Sequence, residues 1–186
     1  LSAMTLLAPT ARAGTELYQV ARSDDDTTTS SSGNCPTCSR FYVPYTTDER
    51  RAFMRWAVRV PKGATVTSAY VDLEFDGEGS STSSTARLHL VDRDSCPPFN
   101  EDPYDWAVTG TYADWTIAPI TPGVWTRSDN LAPVVQAFID RPGYEYGNYL
   151  GLRAIHATGS WKRALTFDEG DHSAAPRLEV NYTGGE

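Results

Sequence analysis

The stretch RRAFMRWAVRVPKGATVTSAYVDLEFDG, residues 50–77, decides the fold class. Its period is two. Ala52, Met54, Trp56, Val58 and Val60 alternate with Arg51, Phe53, Arg55, Ala57 and Arg59. After the turn residues Pro61-Lys62-Gly63, the set Ala69, Val71, Leu73 and Phe75 alternates with Tyr70, Asp72, Glu74 and Asp76. Successive side chains of a strand point to opposite faces, so each segment is predicted to be a long strand with one dry flank and one largely wet one. A slip of one residue would turn three carboxylates inward, and the register is therefore strongly specified.

The same template, more weakly met, predicts strands at Glu16–Arg22, Arg40–Tyr45, Ala86–Val91, Asn148–His156, Arg163–Asp168 and Arg177–Tyr182. Turn-rich joints separate them, and the runs TTTSSSGN and GEGSSTSST read as solvated loops. One helix is expected, in SDNLAPVVQAFIDRPG. There Leu131, Val134, Val135, Phe138 and Ile139 keep helical spacing, Asp129 or Asn130 is placed to cap the start, and Pro142-Gly143 ends it. A single short helix among many strands closes one end of a sandwich. The predicted fold is all-β, a jelly-roll-like antiparallel β-sandwich with one short helix.

With 186 residues, the chain has the length of one domain with a full core, read here as residues 14–186. Residues 1–13 end in Ala11-Arg12-Ala13, small residues where a secretory peptidase cleaves, and they are expected to be the back half of a signal peptide. The other reading of this apolar stretch is an arm that adds a strand to a neighbouring copy. Either way the expected address is secreted, extracellular or at the cell surface. Beyond residue 13 no apolar run approaches the roughly 18 residues of a membrane span. Acidic residues number 24 against 16 basic, a net charge of −8, which disfavours nucleic acid as a partner.

Three cysteines occur, Cys35 and Cys38 in a C-x-x-C and a distant Cys96. In an oxidising compartment a disulfide is expected, either across Cys35 and Cys38 or from one of these to Cys96. No βαβ pattern surrounds the pair and no second C-x-x-C follows, which disfavours a redox motif or a zinc site.

The segment FMRWAVRVPKGATVTSAYVDLEF (53–75) resembles the DNRLRE, or disaggregatase-related, group of secreted modules. SDDD (23–26), NLAPVVQAFIDRPGYEYGNYLGL (130–152) and AAPRLEVNYT (174–183) match in the same order. The resemblance implies an extracellular, carbohydrate-binding jelly roll of the kind appended to polysaccharide-active enzymes or surface proteins, some of which bind acidic glycans. The cysteines are not part of that pattern.

Sugar binding directs attention to aromatic residues in loops and joints, because the apolar face of a pyranose stacks on an indole or phenol. Trp106, Trp115 and Trp161 are the preferred candidates, with Tyr112 and Tyr144 beside them and Trp125 and Tyr146 in the same class. Arg55 and Arg59, and with them Lys162 and Arg163, are candidates to pair with acidic groups of a glycan. The competing expectation sets these arginines opposite Asp72, Glu74 and Asp76 of the next strand. Calcium is the expected ion, with oxygen donors clustered at Asp24-Asp25-Asp26, at Asp92 and Asp94, and at Asp168, Glu169 and Asp171, none in EF-hand spacing. His89, His156 and His172 fall in no hydrolase motif, so a non-catalytic module is expected. The alternative is a self-associating surface or filament protein, a homo-polymer held by strand donation.

Overall fold

In a computed structural model of the chain, residues 13–43, 45, 50–79 and 81–185 are described. Of residues 1–13, on which the signal-peptide and donor-arm readings fall, residues 1–12 lie outside them and Ala13 opens β1. The described strands are Ala13–Gln19 (β1), Asp26–Ser30 (β2), Gly33–Cys35 (β3), Arg40–Tyr42 (β4), Arg50–Ala57 (β5), Ala64–Gly79 (β6), Ser84–Val91 (β7), Val108–Ile117 (β8), Trp125–Arg127 (β9), Tyr149–Gly159 (β10), Lys162–Leu165 (β11) and Arg177–Gly184 (β12). The one α-helix among the described residues is Ala132–Ile139 (α1). No helix among them is long and apolar enough to cross a membrane.

Two antiparallel six-stranded sheets form an all-β sandwich. The first has the order β1-β12-β6-β11-β4, with β9 also on β6; the second runs β3-β2-β5-β10-β7-β8. The predicted dry flanks meet between them: Ala52, Met54, Trp56, Val58 and Val60 from one sheet, Ala69, Val71, Leu73 and Phe75 from the other, all buried. Trp56 also donates its indole N–H to the carbonyl of Pro176, 3.1 Å away, so this buried ring carries no unpaired donor.

The phase of β6 changes part-way. Tyr182 pairs with Val66 but Asn181 with Ser68, and the extra residue, Thr67, is a bulge. Ala64 and Val66 face inward before it, and Ala69, Val71, Leu73 and Phe75 after it. The bulge keeps one long strand apolar inside on both sides of the shift.

Helix α1 rests on β6 of one sheet and on β7 and β8 of the other, as the expected closure requires. The N-cap position falls on Leu131, which offers no side-chain cap, rather than on Asp129 or Asn130; Asn130 Oδ1 instead accepts the Ala132 N–H at 2.9 Å and the Ala69 N–H at 3.0 Å, tying the helix start to β6. Gln136 continues the ladder, accepting from the Val66 N–H and donating to the Ala64 carbonyl.

Three further expectations are corrected. First, β5 and β6 lie in different sheets, because Pro61-Lys62-Gly63 carries the chain across the sandwich rather than round a hairpin. Asp72, Glu74 and Asp76 therefore do not face Arg55 and Arg59. Asp72 pairs with Arg127, and Asp76 with Arg40 and Arg163. Second, the wet flank of β5 is not wet: Phe53 and Arg55 are buried under the segment 92–107. Third, TTTSSSGN is largely strand, since β2 and β3 pair through Thr28↔Cys35 and Ser30↔Gly33.

Candidate functional site

The outer face of the second sheet gathers cations and rings. Because β5, β10, β7 and β8 are neighbours in register, Phe53, Arg153, His89 and Tyr112 form one row across four strands. The next row holds Ile155, Arg87 and Asp114. Period-two alternation puts every one of these opposite the core residues Leu88, Leu152 and Ala154.

Segment 92–107 builds a wall along this floor. Phe99 and Trp106 pack on Phe53, with ring centroids 5.7 and 6.4 Å away, and Cys96 sits over the sheet at Gly151. A Cβ at Gly151 would lie 2.5 Å from the Cys96 sulfur, so only glycine admits the segment this close. Arg51 donates to the Tyr104 carbonyl and lies 4.0 Å over the Tyr104 ring, fixing the segment's far end. The inner half of the face is thereby covered. The outer half is only partly open: Arg87, His89 and Arg153 are half-buried, Arg153 reaching the Trp106 carbonyl at 3.5 Å, and Tyr112 at its edge is exposed.

On that outer half Arg87 lies 4.1 Å over the Tyr112 ring and is held by Asp114 through two bonds of 2.7 and 3.0 Å. His89 stands 5.3 Å from Tyr112, and Arg93 lies 5.6 Å from the Trp106 ring. Burial, then the charges of Arg153 and Arg87, hold the His89 imidazole below its ordinary pKa. Three arginines, Arg87, Arg93 and Arg153, thus border one patch, with Asp114 bound to the first of them.

The sequence-predicted residues fare unequally. Trp106, partly exposed, and Tyr112, 45% exposed, flank the patch from opposite sides. Trp115 is not available as a platform: it is 1% exposed and packs on Phe75 in the core. Tyr144 is equally buried, its hydroxyl donating to the Val60 carbonyl and its ring edge-on to Phe138 of α1. Arg55 is no ligand cation, because its guanidinium is buried against Asp25, the Cys96 carbonyl and the Tyr149 ring. Arg59 is exposed and borders a concavity of about 260 Å³ with Tyr18, Trp56 and Tyr149.

Trp161 belongs to a second cluster, elsewhere on the sandwich. Its ring is 5.6 Å from Tyr42, and Arg50 lies 5.0 Å over both Tyr42 and Tyr45. A cavity of about 240 Å³ beside them is lined by Arg40, Arg50 and Arg163, but Asp76 and Glu169 already neutralise two of these three. Lys162 is buried, donating to the Thr82 carbonyl. Sequence reasoning missed Arg87, Arg153 and the tyrosines 42 and 45. The only available signal was that Arg87 and His89 alternate with Ala86, Leu88 and Leu90 on a predicted strand.

The acidic clusters are mostly paired with arginine. Asp92 and Asp94 both accept from Arg141, Asp24 lies 3.3 Å from Arg22, and Asp25 is bound by Arg55. Among the described residues no group of three or more His, Cys, Asp or Glu side chains is gathered closely enough to hold a metal ion by itself. Cys35 and Cys38 form a disulfide, which closes the alternatives left by the sequence. Cys96 is a free, buried thiol, pushed up to about 12 by burial.

No protein-family profile matches the chain, and no curated protein is similar to it. Among solved structures, a chain described as "Structure of infectious bursal disease virus Gx strain" aligns with all of this chain at 11% identity and a TM-score of 0.28. This chain spans 42% of that one's length, and a likeness so faint carries no argument about fold or function.

Proposed function

We propose that this protein is a secreted, non-catalytic module that binds an extracellular polysaccharide on the outer face of its second sheet. The observation that carries the reading is the row Arg153–His89–Tyr112, with Arg87 beside it and Trp106 as a wall. A polysaccharide offers apolar ring faces and, in acidic glycans, carboxylate or sulfate groups. A shallow floor of arginine between two partly exposed aromatic rings answers both. The Cys35–Cys38 disulfide supports an oxidising, extracellular setting.

The test is retention on immobilised neutral and acidic polysaccharides. Tyr112→Ala removes a ring that is 45% exposed on an edge strand and is expected to weaken binding about 3- to 10-fold, the worth of one aromatic contact. Arg87→Ala is expected to weaken binding to acidic chains more than to neutral ones. Trp161→Ala, in the second cluster, leaves binding unchanged. If no polysaccharide is retained, or if the Tyr112 and Arg87 variants bind like the parent, this reading is wrong.

A further inference from the structure

Among the described residues, Asp26 is a fully buried charged group with few partners. It opens β2, is fully buried, and accepts one hydrogen bond, from the Phe167 N–H at 2.9 Å to Oδ2; its Oδ1 accepts none among the described residues. Asp168, one residue beyond that N–H, takes the Ser23 hydroxyl on Oδ1 at 2.7 Å and leaves a buried Oδ2 equally bare. The nearby cations are committed elsewhere: Arg22 to Asp24 and Asp25, and Arg55 to Asp25. A buried carboxylate with one donor and no cation is strongly disfavoured in water-poor surroundings, and a second carboxylate beside it adds repulsion.

We propose that Asp26 and Asp168, together with the Ser23 hydroxyl, form a site for one hard divalent cation, calcium, where the 3-10 turn Ser23–Asp25 meets the turn after β11. Two carboxylates are a partial shell, and calcium completes its six to eight oxygens with hydroxyl, backbone carbonyl and water ligands. All donors here are oxygen, which suits calcium and disfavours softer ions. The raised pKa of Asp26, caused by burial and then by the charges of Asp168 and Asp25, has the same origin as its demand for a cation. Bound there, the ion would clamp the start of the second sheet to the segment leading into β12.

The experiment is thermal unfolding of the full chain after stripping with EGTA, with Ca²⁺ or Mg²⁺ then titrated in and stoichiometry read by calorimetry. Calcium is expected to bind once and to raise the midpoint by about 5–10 °C at a hundred times its dissociation constant. Asp26→Asn abolishes that rise. Asp168→Asn, at a partly exposed position, abolishes it too and carries the test if the first variant does not fold. Asp94→Asn, whose carboxylate is taken by Arg141, leaves the rise intact. The proposal is overturned if calcium leaves the parent's midpoint where it was, the outcome for two carboxyls sharing a proton, or if the rise survives in the Asp168 variant.

Discussion

Arg55 shows how one residue changes meaning between a line of sequence and a folded chain. On the alternating pattern it is a surface cation; in the fold it is an internal strut whose Nε is 2.7 Å from Asp25 and whose Nη1 donates to the Cys96 carbonyl at 2.8 Å. Replacing it with Met leaves the Asp25 carboxylate buried with only the exposed Arg22 nearby at 3.6 Å, and is expected to cost about 3–5 kcal/mol in denaturant unfolding. Adding Asp25→Asn should return part of that loss, as a double-mutant cycle would measure. Asp26 gives a pH signature of its own. Its folded pKa lies above the unfolded value near 4, so the ion-free folded chain keeps a proton that the unfolded chain has released. Its contribution is therefore fully present below about pH 4 and is lost as pH rises through the folded pKa. In EGTA, the denaturant midpoint of the parent should fall relative to Asp26→Asn over that range, and a constant difference would contradict the assignment.

At the scale of elements, what was legible depended on whether periodicity alone could report it. Strands β5 and β6 were readable because each has a long dry flank, and α1 because five apolar residues keep a helical stride. Strand β8 was missed: its inward positions open with Thr109 and Thr111, so the apolar beat begins only at Ala113. The covering of Phe53 by residues 92–107 was invisible for a different reason, since nothing in an alternating pattern tells whether a distant loop will return to lie on it. Gly151 records that return. Gly151→Ala is expected to cost about 1–3 kcal/mol through overpacking against Cys96, and Cys96→Ala in the same chain should relieve part of it. Unfolding midpoints of the single and double variants check this directly.

At the scale of the molecule, the sandwich and its helix were legible, while the candidate site was legible only in part. Trp106 and Tyr112 were chosen as loop aromatics, yet Tyr112 lies on a strand. The arginines that accompany them were unreadable, because register across four strands, not spacing along one, brings Arg153, His89 and Tyr112 into line. Trp115 and Tyr144 look the same in sequence and were lost to the core, where a large ring fills volume better than any other side chain. The order of the first sheet has a consequence for how the chain reaches this state. The last strand, β12, lies between the first, β1, and the central β6, with Ala13 paired to Thr183. During synthesis that sheet cannot be completed until β12 has been made, and until then the facing edges of β1 and β6 stay unzipped. Such distant closure makes for slow, late folding and a long exposure to chaperones or to misassociation with other nascent copies.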